Sequence, residues 1–309
     1  RSLVESGFKT FRPRAPISAA PDLGTIDHQG LDVFYHHEPE TGGTTVSIEV
    51  VRPYRQQPDS LALRRRELIS ELADGIVQNR LDTLQKQPET PFTAAAVGSG
   101  AYLNHIRYAE ISADSSASNW RQTLSLLEQE LRRAKLFGFS EAELARVKKE
   151  TLNRLEKAAK EAPTRNSSQL ARTMIRKLSE NRVIQSPLQE MTTLAPILAD
   201  LTVTDVHEGF LDSWPEDHRL VLVTGDADLE KSSTQPPAKQ IRNAFLGSAS
   251  TLVHPYEAAE KATFPYLHPP EEPGTIVSRE IIADLGITCI RFANGVRLNL
   301  KPTDYKTNE

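Results

Sequence analysis

Apolar and polar positions along this chain follow two periods, and the switches between them mark out its elements. The stretch "LDVFYHHEPETGGTTVSIEVV", from Leu31 to Val51, alternates. It reads as a short strand at Val33–Tyr35, a turn around Gly42-Gly43, and a second strand through Val46, Ile48 and Val50. The period then lengthens. Leu61, Leu68, Leu72, Ile76, Leu81 and Leu84 recur at spacings of three, four or their sums, which predicts a helix over 59–84. Its triple Arg64, Arg65 and Arg66 falls mostly on the wet side. Two further strand-like stretches follow, "FTAAAVGSGAYL" and "IRYAEISAD". Gly98 and Gly100 signal a bulge there, or a close approach of another backbone.

The helical period returns at Trp120–Phe137, where Leu124, Leu127, Leu131 and Ala134 share a face. Gly138 supplies a stop, and Ser140 with Glu143 forms a capping box that opens "EAELARVKKETLNRLEKAAKE". More helix is predicted over 165–180 and 204–214, with a broken stretch at 186–201 interrupted by Pro196. "HRLVLVTGD" (218–226) reads as a short buried strand and a glycine turn. Prolines then crowd 234–273, which reads as a linker holding one short helix at 239–246. Beyond it, Ile290, Phe292, Val296, Leu298 and Leu300 describe strand, with Asn294-Gly295 as a turn. The order of strands and helices predicts an α+β fold, an antiparallel sheet with several helices packed on one face. The expected layout is a connector over 1–30, a domain over 31–233, a linker over 234–285, and the first strands of a following unit over 286–309.

Composition narrows the function. The chain has 309 residues, with 37 basic and 41 acidic side chains for a net charge of −4. No global field therefore favours nucleic acid, and no apolar run reaches the roughly 18 residues of a membrane span. The first residues lack both a starting Met and an apolar signal core, so both ends read as mid-protein sequence. A single cysteine, Cys289, rules out an internal disulfide and a cysteine-rich metal site.

Histidines are the obvious place to seek catalysis, because a helical zinc site needs two of them on one face beside a Glu. His207-Glu208, His254 with Glu257, and His37 with Glu40 each begin such a pattern, and none completes it. The adjacent His36 and His37 point to opposite faces of a strand. No nucleophile elbow, phosphate loop or dinucleotide fingerprint occurs. From the residues alone, no catalytic centre or metal site is expected.

Three segments nevertheless resemble, in order, the second domain of the insulinase/pitrilysin family of zinc metallopeptidases, and a fourth resembles the first strand of that family's third domain. They are the strand pair from Leu31, the helix ending in Arg80-Leu81, the "GFSEAEL" helix start at Gly138, and "FANGVRLNL" near the end. The resemblance implies the α+β domain of insulinase and of mitochondrial processing peptidase. It further implies a non-catalytic part of a zinc endopeptidase that encloses and positions peptides, with no cofactor here and zinc in the parent enzyme. The alternative is a catalytically inactive partner or assembly subunit that binds peptides or proteins. Implied partners are other domains of the same polypeptide and a peptide substrate, with neither nucleic acid nor membrane insertion, and a periplasmic parent. Some members pair a substrate's N-terminal backbone with an edge strand of this domain. The matching residues here are Ala96, Val97, Gly98 and Ser99, where replacing Val97 with Pro removes a ladder N–H; a plain strand with a bulge is the competing reading.

Overall fold

The structure is a computed structural model and describes residues 2–12, 14–16, 21–256 and 272–303. The first helix, α1 (Ser2–Phe8), is exposed. The strands are β1 (Leu31–His37), β2 (Thr44–Pro53), β3 (Phe92–Tyr102), β4 (Ile106–Ser115) and β5 (Arg219–Gly225). Helix α2 (Leu61–Gln85) separates β2 from β3. Between β4 and β5 run α3 (Trp120–Phe137), α4 (Glu141–Glu161), α5 (Ser167–Ser179), α6 (Pro187–Asp200) and α7 (Val203–Ser213). A short α8 (Leu229–Ser232) and α9 (Pro237–Ala249) follow β5.

The five strands lie in the order β1-β5-β2-β4-β3. Every pairing is antiparallel except β1 with β5, which is parallel, so the sheet is mixed. The two opening strands do not pair with each other; β5 lies between them. One face of the sheet supplies the core: Val46, Ile48 and Val50 from β2, Ala109, Ile111 and Ala113 from β4, and Val221 and Val223 from β5. Against it pack Leu124, Leu127 and Leu131 of α3, the apolar stripe of α2, and Phe210 with Trp214 at the end of α7. Burying each of these large side chains contributes about 1.5–3 kcal/mol, which holds the amphipathic helices to that face.

The capping box of α4 forms as the residues require, with Ser140 N–H donating to Glu143 Oε2 at 2.8 Å and Glu143 N–H donating to Ser140 Oγ at 3.3 Å. Gly138 ends α3 at φ +67, the left-handed region that a glycine enters without Cβ strain. Three expectations change. The stretch 186–201 is one helix with Pro196 inside it, rather than a broken one. Packing of the buried Leu198 and the α4·α6 contact hold α6 together across the lost hydrogen bond. The strand irregularity falls between Phe92 and Ala94, and pairing runs unbroken through Gly98 and Gly100. Nothing lies within 4 Å of a Cβ built on Gly98, so no second backbone crowds it.

The proline-rich stretch also differs from a plain linker at its start. Ile241 and Phe245 of α9 are buried in the same core as the sheet, and Arg242 Nη2 donates to Leu31 O at 2.9 Å. Val253 is buried too, and Arg133 Nε donates to His254 O. Residues 257–271 of the expected linker lie outside the described residues. Beyond them, β6 (Ile276–Ile282), β7 (Ile287–Phe292) and β8 (Arg297–Leu300) make a separate antiparallel sheet. That sheet begins before residue 286, and residues 304–309 of the expected following unit lie outside the described residues.

Candidate functional site

The second face of the five-stranded sheet carries no helix among the described residues. Its floor alternates with the core positions: Asp32, Phe34 and His36 on β1, Thr45, Ser47 and Glu49 on β2, Glu110, Ser112 and Asp114 on β4, and Ala94, Ala96 and Gly98 on β3. Phe34 is 52% exposed, a large ring left in water. Glu49 stands directly opposite Glu110 across the β2–β4 pair. Burial raises the pKa of Glu49, a bond from Ser47 draws it back down, and the charge of Glu110 raises it further. The face is thus small-sided on β3 and acidic across β2 and β4.

β3 is an edge strand, and the residues singled out from the sequence lie on it. Ala96 and Gly98 face the uncovered side, whereas Val97 and Ser99 face α2. The free edge is not bare. Gln78 of α2 donates to Ala95 O and accepts from Val97 N–H, both at 3.0 Å. Asp74, one turn earlier, accepts the Ser99 hydroxyl at 2.7 Å and the Ser99 N–H as well. Gln85 donates to Thr93 O. The stripe Asp74, Gln78 and Gln85 therefore partners four outward backbone groups, Thr93 O, Ala95 O, Val97 N–H and Ser99 N–H, where a sixth strand would otherwise pair. The Val97 N–H belongs to this stripe and not to the ladder with β4, so proline there would sever a helix contact.

Burial pushes the Asp74 carboxyl up to about 6, against the pull of its two Ser99 bonds, and the charge of Glu71 adds a smaller push. The native state therefore binds this proton more tightly than the unfolded chain. The associated stability is fully present below about pH 4 and is lost as pH rises through 6. Asp74→Asn is expected to flatten the stability profile between pH 4 and 6 and to gain up to about 3 kcal/mol at pH 8. Urea unfolding at several pH values measures this, and a flat wild-type profile would contradict it.

Beyond Ser99 the stripe ends, and α2 diverges from the strand. The gap is a crevice of about 110 Å³ whose walls include Leu63, Arg66, Ser70, Ser99, Ala101 and Arg107. Arg66 donates to the neutral Gln57 amide, and Arg107 shares Asp212 with Arg52. A second depression, on the other side of Arg66 and Arg107, reaches Asp205 and Glu208 of α7.

Four histidines make contacts within the fold. His207 Nε2 bonds Lys135 O at 3.0 Å, His105 Nε2 bonds Gly24 O at 3.0 Å, and His28 meets His218 edge-on at 5.5 Å. Among the described residues no three of His, Cys, Asp and Glu converge to hold a metal ion. Glu257, needed for one of the three partial motifs, lies outside the described residues. The polar stripe on α2 escaped the sequence reading, although Asp74, Gln78 and Gln85 recur at spacings of four and seven opposite the leucines. The pattern was visible; its partner strand was not.

A mixed five-stranded sheet covered on one side by α2, α3, α7 and α9 is the fold of insulinase-family peptidases. Solved structures show the likeness. PqqL, a periplasmic protease of Escherichia coli, superposes with a TM-score of 0.72 at 16% identity over 98% of this chain and 33% of its own. The first half of PqqL alone gives 0.70 at 15% identity, over 83% of this chain and 55% of its own. A predicted insulinase-family protease of Yersinia pestis gives 0.64 at 14% identity, over 81% and 52%. The chain thus spans about a third of PqqL, and the likeness is one of fold. No family model matches the sequence, and no curated protein does. No helix of the described residues is long and apolar enough to cross a membrane.

Proposed function

We propose that this chain is a non-catalytic domain of a zinc endopeptidase, one that walls and positions extended peptides for cleavage by residues elsewhere in the polypeptide. The observation that carries this reading is the uncovered sheet face, floored near its edge by Ala94, Ala96 and Gly98, in a fold shared with peptidases. Small side chains let a second backbone lie close, and the acidic residues further in give the face a charge preference. Zinc and the hydrolytic step belong to the parent's catalytic part in this reading, and the periplasmic setting of PqqL extends to that parent.

The coverage of the two PqqL structures supports the division of the chain. Whole PqqL matches 98% of it, and the first half alone matches 83%. In this reading the strands β6–β8 open the following homologous domain, and the other domains of the polypeptide are the chain's principal partners. A photoreactive benzophenone on an unfolded peptide should label Ala96, Gly98 and Tyr108, which pairs with Gly100 in phase with that face, when irradiated with the chain and mapped by mass spectrometry. Labelling confined to α4–α6, or none, would overturn the reading.

A further inference from the structure

We infer that the crevice between α2 and the end of β3 is a subsite for a carboxylate carried by an extended peptide, held between Arg66 and Arg107. The inference rests on the peptide-positioning reading and adds a ligand chemistry to it. Four observations lead there.

The first is size. A cavity of about 110 Å³ is well below the roughly 300–1,000 Å³ of small-molecule and cofactor sites, so it suits one side chain or chain end. The second is charge. Two guanidinium groups line the crevice, and among the described residues Arg66 has no carboxylate partner, only the Gln57 amide. Arg107 must share the half-exposed Asp212 with Arg52, so that three-residue cluster carries one anion for two cations. Glu67, the acidic group at the rim, is already bound to Arg182. A planar guanidinium without an anion is suited to a bidentate carboxylate.

The third is the edge itself. Asp74, Gln78 and Gln85 bond outward groups of Thr93, Ala95, Val97 and Ser99, and Ala101 continues the same outward phase just past the end of that stripe. Ala101 also lines the crevice and pairs directly with Arg107 across the β3–β4 ladder. The fourth is alternation. A peptide lying along an edge sends successive side chains to opposite faces of the sheet. One residue at Ala101 would enter the crevice on the helix side, while its neighbours would pass over the uncovered face. Leu63 supplies an apolar wall for the methylenes of that residue, and Ser70 lines the crevice beside its head group.

The carboxylate has two possible sources, an acidic side chain and a peptide C-terminus, and three octapeptides separate them. One is neutral with a free C-terminus, the second is its amidated twin, and the third is amidated with a single central Glu. Isothermal titration of the whole chain at low salt is expected to show at least tenfold tighter binding for one or both carboxylate peptides than for the amidated neutral one. Arg66→Gln should abolish that difference, whereas Arg146→Gln, the same charge change on the solvent side of α4, should preserve it. Preference for the central Glu assigns the subsite to a side chain, and preference for the free end assigns it to a C-terminus. Equal binding of all three peptides, or a preference that survives Arg66→Gln, overturns the inference and leaves peptide positioning intact. Absence of binding by any peptide overturns both.

Discussion

Arg80→Ala is expected to lower the stability of the domain by about 3–5 kcal/mol, the cost of stranding one member of a buried ion pair. The Arg80 side chain is only 4% exposed, and it grips Glu143 through two bonds, Nε to Oε1 at 2.7 Å and Nη2 to Oε2 at 3.0 Å. Nη2 also donates to Gly138 O, and the guanidinium sits against the rings of Phe139 and Tyr256. Three elements meet at this one side chain: α2, the α3–α4 turn and the segment that follows α9. Glu143 cannot turn away to water cheaply, because its Oε2 also accepts the Ser140 N–H that caps α4. Nearby, burial raises the pKa of Glu130, and the charges of Arg133 and then Arg80 offset this, so loss of Arg80 removes a second favourable interaction. Arg80→Lys should recover only part of the loss, since an ammonium cannot reproduce the bidentate geometry. Denaturant unfolding of the three proteins decides the matter; a loss below about 1 kcal/mol for Arg80→Ala would show the pair to be energetically idle.

Gly225→Ala carries the other large effect. Gly225 has φ +118, a backbone region open to glycine and strained for every L residue. An added Cβ would stand 2.2 Å from Gly43 O and 3.0 Å from Thr44 Cα, both backbone atoms that cannot rotate aside. The position is the last register point at which β5 joins both neighbours, His37 on β1 and Thr44 on β2. Strain and collision together are expected to cost about 3 kcal/mol or more and to loosen β1 first. Amide exchange should then quicken across residues 31–37 before the rest of the sheet. Wild-type protection of β1 in this variant would count against the account.

What the sequence disclosed followed from interactions that are close along the chain. The boundaries of α3, the Gly138 stop and the Ser140–Glu143 box are local, and each is visible in adjacent residues. The Ala96–Ser99 strand was legible as a strand for the same reason. Its edge was not, because Gln78 and Asp74 reach it from a different element, and their spacing has meaning only once the helix lies alongside. The position of β5 was equally hidden: nothing in "RLVLVTG" states that it pairs parallel to one strand and antiparallel to another. Pro196 misled because a proline weighs heavily as a local signal, while burial of Leu198 and packing against α4 are tertiary. The crevice arises from the divergence of α2 and β3, a geometric fact with no trace in hydropathy.

The placement of β5 between the two strands that begin the domain has a consequence for how the chain reaches its native state. Leu31 finds its partner only at Arg219, so β1 waits through the emergence of nine other long elements. During synthesis, β2, α2, β3 and β4 can assemble while one side of β2 remains an open template. Until β5 closes that seam, the half-built sheet is a sticky surface for other nascent chains. A holdase that shields β2 for those seconds would raise the yield of folded protein, and a chain ended before residue 219 would aggregate rather than fold.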